Sequence, residues 1–491
     1  MKEIYAVDEI INHMKQTYPS DRCDYESIAK KYIRVCVHEL CQAYGRPESN
    51  KLALAVYTNC LKNKVHNRIV DSNGHTQYWY KWLSIEYPFW TIEQRGHNLA
   101  GGKPSMVKPL FELETLVAFR NRFKIIDDYH INTDNQLHYA QIDANSIANY
   151  IRTTAELICS KTADIPSTQL AYKFDYAKSI EDIASEYNWV LPQEVAETQS
   201  ARTYYKGINL INAPVVVREA ALGKSFKQDL TSCMYAFKLG LVEQYYQKQG
   251  IDIRDKRLFV TFRQLVHEKS TTRKLLAQTL TRTKTTPEHK EKLVKEALSA
   301  IGFGARINNS IGALVDIIYQ PDDREAFIQH YIVQDLIKEQ RQFSEICREE
   351  FSKETIKEIM PEALRNGKYD QSKTEVYLYQ WFERCIMDFI EGHPLTQSAD
   401  PLLTVHDCIY TRTQIDPAIN LDLQQHFGNT HLCLEAEQID AWRYSPPVTV
   451  KTLREREHEW HLQAEQIKAQ SYVPTNPVIE TTQTWNQFKA R

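Results

Sequence analysis

The chain has 491 residues, of which 42 % are apolar and 25 % are charged, and its formal net charge is −3. This size exceeds what one hydrophobic core usually supports, so we expect two to four structural units. The charge excludes a general attraction to nucleic acid, and no uncharged apolar stretch approaches the roughly 18 residues that span a bilayer. The ten cysteines include no CxxC pair, which disfavours disulfides and structural zinc. The first residues lack the apolar core of a secretory signal, so we expect a cytoplasmic protein with no membrane partner.

Helical and strand-like patterns alternate along the chain and predict an α+β protein that is mostly helical. Residues 1–125 predict an N-terminal helical region with strands or an extended aromatic hairpin between Gly74 and Gly102, and residues 126–190 predict a second helical region. Residues 191–445 combine short apolar runs with long amphipathic helices, which is typical of a core with few strands. Residues 446–491 predict one charged helix followed by a peripheral tail.

A loop with aromatic and cationic side chains occupies residues 201–214. It contains Arg202, Tyr204 and Asn209, and Arg218 follows four residues after its end. Aromatic rings can stack on bases and arginines can contact phosphates, so these four residues are candidates for nucleic-acid binding. A surface loop with satisfied arginines would have the same composition and is the alternative.

Two carboxylates are expected to meet at the ends of neighbouring strands. The segment Leu402–Tyr410 consists of two apolar runs around His406 and Asp407, and this pattern predicts a tight hairpin with Asp407 at its tip. Asp229 ends a short apolar stretch that leads into a helix beginning near Met234. Such a pair of acidic groups can share two divalent cations, which activate a hydroxyl and neutralise a leaving phosphate. The sequence therefore predicts a phosphoryl-transfer enzyme.

A basic segment lies between these two carboxylates along the chain. Residues 269–295 contain eight Lys or Arg and two Glu, a formal excess of six positive charges (8 − 2). Within it, Thr286 is a good N-cap and Pro287 suits the first helical position, so a helix is expected to begin there and to end at Gly302 and Gly304. A solvated helical face is the alternative interpretation of such a charge run.

One face of this predicted helix suits a nucleotide. Lys292, Lys295, Ser299 and Phe303 recur at intervals of three or four, so they lie along the same face. The lysines would hold the triphosphate, and Phe303 would contact the base or ribose.

Four motifs in this order resemble those of a known superfamily. Arg-x6-Asn-Leu-x-Asn-x-Pro, Asp-x-[ST], Lys-x7-Phe-Gly and Val-His-Asp are similar to the motifs shared by family A DNA polymerases and the single-subunit RNA polymerases of phages and mitochondria. The resemblance covers roughly residues 200–412. It implies a right-hand polymerase in which palm, fingers and thumb surround a small antiparallel palm sheet, with residues 126–190 as a thumb-like region.

The resemblance also implies roles for individual residues. Asp229, Asp407 and the carbonyl of Leu230 would hold two Mg²⁺ ions, with Mn²⁺ as a substitute. Lys295 would contact the triphosphate, and Phe303 would close on the nascent base pair.

The sequence departs from the family pattern four residues before Lys295, where the family usually has Arg and this chain has Glu291. Lys290 or Lys292 would then supply the second cation of the triphosphate grip. Gln380 lies in a predicted helix that matches the palm helix of the family, and it would contact nucleic acid together with His406.

The sugar of the nucleotide is left open by opposing signals. Met234 stands where most family A DNA polymerases place a Glu that crowds the ribose 2′ position, and the segment Lys103–Pro109 resembles one found in single-subunit RNA polymerases. Both features favour ribonucleotides. Asn209–Pro214 is more similar to the DNA polymerase motif, and Phe303 lacks the hydroxyl that RNA polymerases of the family usually have.

The expected function is therefore a compact DNA-directed RNA polymerase of viral, plasmid or bacterial origin. The alternatives are a family A-like DNA polymerase without proofreading and an inactive polymerase-like protein that binds nucleic acid; a metal-dependent nuclease fits the basic helix less well. The expected partners are a DNA template, nucleoside triphosphates, an RNA or DNA product and an accessory specificity subunit.

Overall fold

The computed structural model describes residues 5–20, 23–44, 54–56, 65, 68–70, 76–94, 104–121, 136–160, 167–196, 202–305, 307, 312–351, 355, 358 and 374–444. Within these residues helices predominate and the strands form small antiparallel sheets, so the chain has the predicted α+β class. None of the described helices is long and apolar enough to cross a membrane. The charged helix and tail predicted for residues 446–491 lie outside the described residues.

The N-terminal region packs helices against two small sheets. Its elements are α1 (Val7–Thr17), α2 (Tyr25–Ala43), β1 (Leu54–Val56), β2 (Arg68–Val70), β3 (Thr76–Tyr78), α3 (Trp79–Glu86), β4 (Trp90–Gln94), β5 (Ser105–Pro109) and α4 (Leu113–Arg120). The strand β5 lies between β1 and β4, and β2 pairs with β3. The segment Lys103–Pro109, described from residue 104 onward, is therefore largely a central strand.

The aromatic hairpin predicted in this region is replaced by the short helix α3 between strands β3 and β4. Trp79, Trp82 and Leu83 are buried and stand at positions i, i+3 and i+4, so they share one helical face. The strands predicted for this stretch are present as β3 and β4, but they do not pair with each other, so the hairpin alternative is wrong. Tertiary burial of the two tryptophans favours the helix.

The middle region joins a three-stranded sheet to long helices. Its elements are β6 (Leu137–Gln141), α5 (Ala144–Ser160), α6 (Ser167–Glu186), β7 (Val190–Ala196), β8 (Tyr204–Tyr205) and α7 (Val215–Leu222). A buried ion network ties α6 to α4: the Arg120 guanidinium donates to Asp175 at 2.7 Å and to Asp182 at 3.0 Å. Burial alone would raise the pKa of Asp175, but His38 and Arg120 lower it to about 2.

The C-terminal region contains the sheet that positions the candidate site. Its elements are β9 (Ser225–Leu230), α8 (Cys233–Lys248), α9 (Val260–His267), α10 (Lys269–Ala277), α11 (Pro287–Gly302), α12 (Ala313–Ile317), α13 (Pro321–Gln329), α14 (Tyr331–Glu350), α15 (Thr374–Gly392), α16 (Pro394–Ser398), β10 (Pro401–Val405), β11 (Cys408–Thr411), α17 (Ile419–Phe427) and β12 (Leu434–Ile439). The strand order is β10-β11-β9-β12, and all neighbours are antiparallel. The predicted hairpin is present as β10 and β11, and the helix predicted near Met234 is α8.

Local residues set the start of α11, as the sequence predicts, and also the turn from α7 into β9. The Thr286 hydroxyl accepts a hydrogen bond from the amide of His289, and Pro287 is the first residue of α11. Gly223 ends α7 with a φ of 68°, and a Cβ built there would lie 2.3 Å from Asp143 Oδ2. Only glycine therefore allows the chain to turn from α7 into β9 at this point.

Candidate active site

Asp229 and Asp407 lie side by side on the four-stranded sheet, although 178 residues separate them (407 − 229). Asp229 is paired with Cys408 across β9 and β11, and the amide of Leu230 donates to the Asp407 carbonyl at 2.9 Å. His406 has a φ of 54° in the two-residue turn between β10 and β11. This left-handed residue lets the hairpin reverse within two residues and leaves Asp407 at its tip.

Burial disfavours the ionisation of both carboxylates, and the charge of Asp229 adds to this effect at Asp407. Burial, together with the charges of Asp229 and Glu383, raises the pKa of Asp407 to about 6. Burial also raises the pKa of Asp229, against the opposing effect of Lys227, Lys295 and other cations. A group of like charges at partly buried positions is the electrostatic condition that a divalent cation relieves.

The donors available here are oxygens, which Mg²⁺ and Mn²⁺ prefer. Asp229, Asp407 and Leu230 all border one cavity of about 270 Å³. Among the described residues there is no cluster of three or more His, Cys, Asp or Glu side chains arranged to hold a metal. Backbone carbonyls and water are further oxygen ligands that such ions accept.

Cationic side chains from two helices line the same cavity. Lys295 and Ser299 of α11 and Phe303, which follows that helix, border it as the sequence predicts. Lys269 and Arg273 of α10 border it as well; the sequence predicts them only as members of the basic segment, without individual roles. The sequence could have indicated them, because they stand at positions i and i+4 of the basic segment and therefore share one helical face.

The other two predicted lysines of α11 do not border this cavity. Lys292 is exposed and lies 4.0 Å from Glu296 on its own helix, and Lys290 is partly buried one turn before the cavity-lining residues. Arg273 borders the cavity from α10. Glu291 lies within electrostatic reach of it and opposes the fall in the Arg273 pKa that burial causes.

Arg202 borders the cavity and forms an ion pair that the sequence did not predict. Its guanidinium donates two hydrogen bonds to the buried carboxylate of Glu383, at 2.7 Å and 2.6 Å. Tyr379, four residues before Glu383 on α15, borders this cavity, and the Arg202 guanidinium lies 5.7 Å from the Tyr379 ring centre. Gln380, the predicted contact on this helix, is not among the residues that border the cavity.

Two predicted nucleic-acid contacts are structural residues instead. The buried Arg218 guanidinium donates to the carbonyls of Leu210 and Ile211, both at 2.7 Å. Asn209 is fully buried and its side chain accepts from the amide of Asn212 at 2.8 Å. One arginine from α7 thus satisfies buried carbonyls of this loop. The nucleic-acid role predicted for Arg218 and Asn209 does not agree with this placement.

The rings of Tyr204 and His406 lie next to each other. Their ring centroids are 5.8 Å apart. His406 and Arg202 also border a second cavity of about 560 Å³ between α15, β10 and the sheet of β6, β7 and β8. Burial and the charge of Arg202 lower the pKa of His406, so this imidazole is neutral at pH 7.

The fold and the site together define a mostly helical α+β protein with two adjacent carboxylates and a cationic wall around one cavity. No protein-family model matches the chain, and no curated protein matches it significantly.

Proposed function

We propose that this protein is a template-dependent nucleotidyltransferase that uses two divalent cations, and that RNA is its product. One observation carries the proposal: the cavity that contains Asp229 and Asp407 is also lined by Lys269, Arg273 and Lys295. Carboxylates that can hold metal ions and cations that can hold a triphosphate are the two requirements of phosphoryl transfer. In this proposal the sheet of β9–β12 is the palm, and α9–α11 belong to the fingers.

The residues of the chain act by position and by charge. Asp229 and Asp407 would hold two Mg²⁺ ions, with the Leu230 carbonyl as a further ligand, and the ions supply activation of the attacking hydroxyl and stabilisation of pyrophosphate. Lys269, Arg273 and Lys295 neutralise the phosphates and fix their orientation. Phe303 packs near Tyr379, with ring centroids 5.5 Å apart, and together they form an apolar wall for the base.

The proposal of a ribonucleotide substrate is supported by Met234. This side chain borders the cavity at the start of α8 and is almost fully buried. A thioether in that position leaves no negative charge near the ribose 2′-hydroxyl, whereas a carboxylate would crowd it. Deoxyribonucleotide polymerisation is the alternative, because Phe303 has no hydroxyl to sense the 2′ group.

A primer-extension assay with a DNA template tests the proposal. Purified protein is supplied with Mg²⁺ and with either labelled ribonucleotides or labelled deoxyribonucleotides. Incorporation of ribonucleotides is expected, and it should disappear in Asp229→Ala and Asp407→Ala while nucleic-acid binding remains measurable. Glu437→Ala is the matched control, because Glu437 is an exposed carboxylate on β12 of the same sheet.

Each other outcome identifies a different function. Preferential use of deoxyribonucleotides would establish a DNA polymerase. Binding of template without incorporation of either sugar would indicate an inactive polymerase-like protein, and shortening of the template would indicate a nuclease. Synthesis that survives in either aspartate variant would refute the two-metal site. Addition of host extract tests whether an accessory subunit supplies template specificity.

A further inference from the structure

Lys238 is a buried lysine at a point where four helices meet. It lies in the middle of α8, and only 2 % of it is exposed. Its ammonium group donates to the carbonyl of Gly302, the last residue of α11, and to Gln340 Oε1 of α14 at 2.6 Å. Glu375 Oε2 of α15 lies 3.7 Å away. One side chain therefore connects α8 to three other helices.

The surroundings of this ammonium group are organised to accept it. Glu375 also accepts hydrogen bonds from the Gln340 amide at 2.5 Å and from Ser344, so its carboxylate is held in place. The Phe343 ring centre lies 4.5 Å from the Lys238 nitrogen. Burial lowers the pKa of Lys238 to about 8, against the raising effect of Glu375. A methionine would fill the same space without this desolvation cost, so the polar contacts need an explanation.

Three of the four helices at this point carry or adjoin a residue of the candidate site. The helix α8 begins beside Met234, α11 ends immediately before Phe303, and α15 carries Tyr379. The carbonyl that Lys238 binds precedes Phe303 by one residue. A cation at the C-terminus of a helix also interacts favourably with the partial negative charge there.

We propose that Lys238 is a positioning residue, which fixes the end of α11 through the Gly302 carbonyl and so holds Phe303 against Tyr379 at the cavity. It does not touch the substrate and acts through Phe303 on nucleotide affinity. The effect on nucleotides rests on the proposed function, whereas the effect on the end of α11 does not.

The test compares Lys238→Met with Lys248→Met. Lys248 is the matched control because it lies on the same helix but is exposed and bonds only to Glu350 among the described residues. Hydrogen exchange of the amides of residues 299–305 is measured first, without nucleotide. Lys238→Met should speed exchange in this segment about tenfold, the ratio expected when one charge-assisted hydrogen bond is lost, and Lys248→Met should not.

Nucleotide incorporation is then measured in the same variants. Lys238→Met should raise KM for the nucleotide about tenfold and leave kcat within about threefold, because the loss falls on substrate positioning and leaves the metal site intact. A fall in kcat as large as the rise in KM would overturn the proposal. Unchanged exchange at residues 299–305 would overturn it as well.

A second variant covers the case in which Lys238→Met does not fold. Glu375→Gln keeps the shape of the cluster and the bond from Lys238 to Gly302, so exchange at residues 299–305 and KM should stay within about twofold of the parent protein. A large change in either would show that general packing, and not the Gly302 bond, controls this segment. If the parent protein neither binds nor incorporates nucleotides, the proposed function fails, while the exchange comparison still decides the role of Lys238.

Discussion

Replacing Asp407 by asparagine should stabilise the metal-free protein at neutral pH, although the same change removes a proposed metal ligand. The pKa of this carboxyl is raised from the ordinary 3.8 to about 6 by burial and by the charges of Asp229 and Glu383. The folded chain therefore retains a proton that the unfolded chain releases between these two values. The ionised carboxylate opposes folding above about pH 6, and this contribution disappears below about pH 3.8.

The size of the effect follows from the same values. The difference between 3.8 and about 6 corresponds to about 3 kcal/mol, at about 1.4 kcal/mol per pH unit. Part of the Asp407 side chain is exposed, and water reduces the cost of its charge. We therefore expect Asp407→Asn to raise the free energy of unfolding by about 1–3 kcal/mol at pH 7.5 in EDTA, and by almost nothing at pH 4.

Hydrogen exchange in increasing urea is the suitable assay, because the chain contains more than one core and a single global transition is not assured. Peptides that cover residues 403–412 report the stability of the structural unit that holds the site. Asp440→Asn, at an exposed position after β12, is the control. A stability loss in Asp407→Asn at pH 7.5, or a gain that is equal at pH 4, would refute this account of the electrostatics.

Magnesium provides the complementary measurement. Mg²⁺ should stabilise the parent protein by cancelling the repulsion between Asp229 and Asp407, and it should stabilise Asp407→Asn much less. Asp229→Asn should lower the pKa of Asp407. The gain in the free energy of unfolding for Asp229→Asn and Asp407→Asn together should therefore be smaller than the sum of the two single gains.

Three further substitutions test contacts that support the fold, each followed by hydrogen exchange in increasing urea in peptides around the substituted contact. Arg120→Met should cost about 3–5 kcal/mol by leaving Asp175 buried without its guanidinium partner, and adding Asp175→Asn should recover part of the loss. Gly223→Ala should cost more than about 1 kcal/mol, since φ is 68° and the new Cβ would lie 2.3 Å from Asp143 Oδ2. Arg218→Met should cost about 2 kcal/mol or more by leaving buried carbonyls unsatisfied. A parent-like unfolding midpoint in any of the three would show that the corresponding contact does not support the fold.

Local sequence signals predicted the elements whose determinants are also local. The helix α11 begins where Thr286 and Pro287 place it, and the hairpin around Asp407 follows from two apolar runs around a short polar turn. The hairpin prediction for the segment of α3 was wrong because its aromatic residues fit both a helical and an alternating pattern. Its choice of helix depends on what buries Trp79 and Trp82, and that information lies elsewhere in the chain.

The partners of the candidate site were harder to predict than its carboxylates. A carboxylate at a hairpin tip is marked by its turn, whereas Lys269 and Arg273 are two cations in a long basic segment. Which of those cations reach the cavity depends on the packing direction of α10. Arg218 shows the opposite problem, because an arginine beside an aromatic loop has the same sequence signature whether it binds phosphate or backbone carbonyls.

The position of Arg273 bears on how a triphosphate grip can be built. The resemblance to the polymerase superfamily implies an arginine at position 291, whereas this chain has Glu291, which is not among the residues that border the cavity. Arg273 reaches the same cavity from α10, with Glu291 close enough to interact with it electrostatically. The chemistry requires a cation at a point in space and sets no condition on which helix supplies it. Arg273→Glu alone should therefore weaken nucleotide affinity, and adding Glu291→Arg should restore it. A KM measurement tests this rescue. Its failure would show that the cation must come from α10.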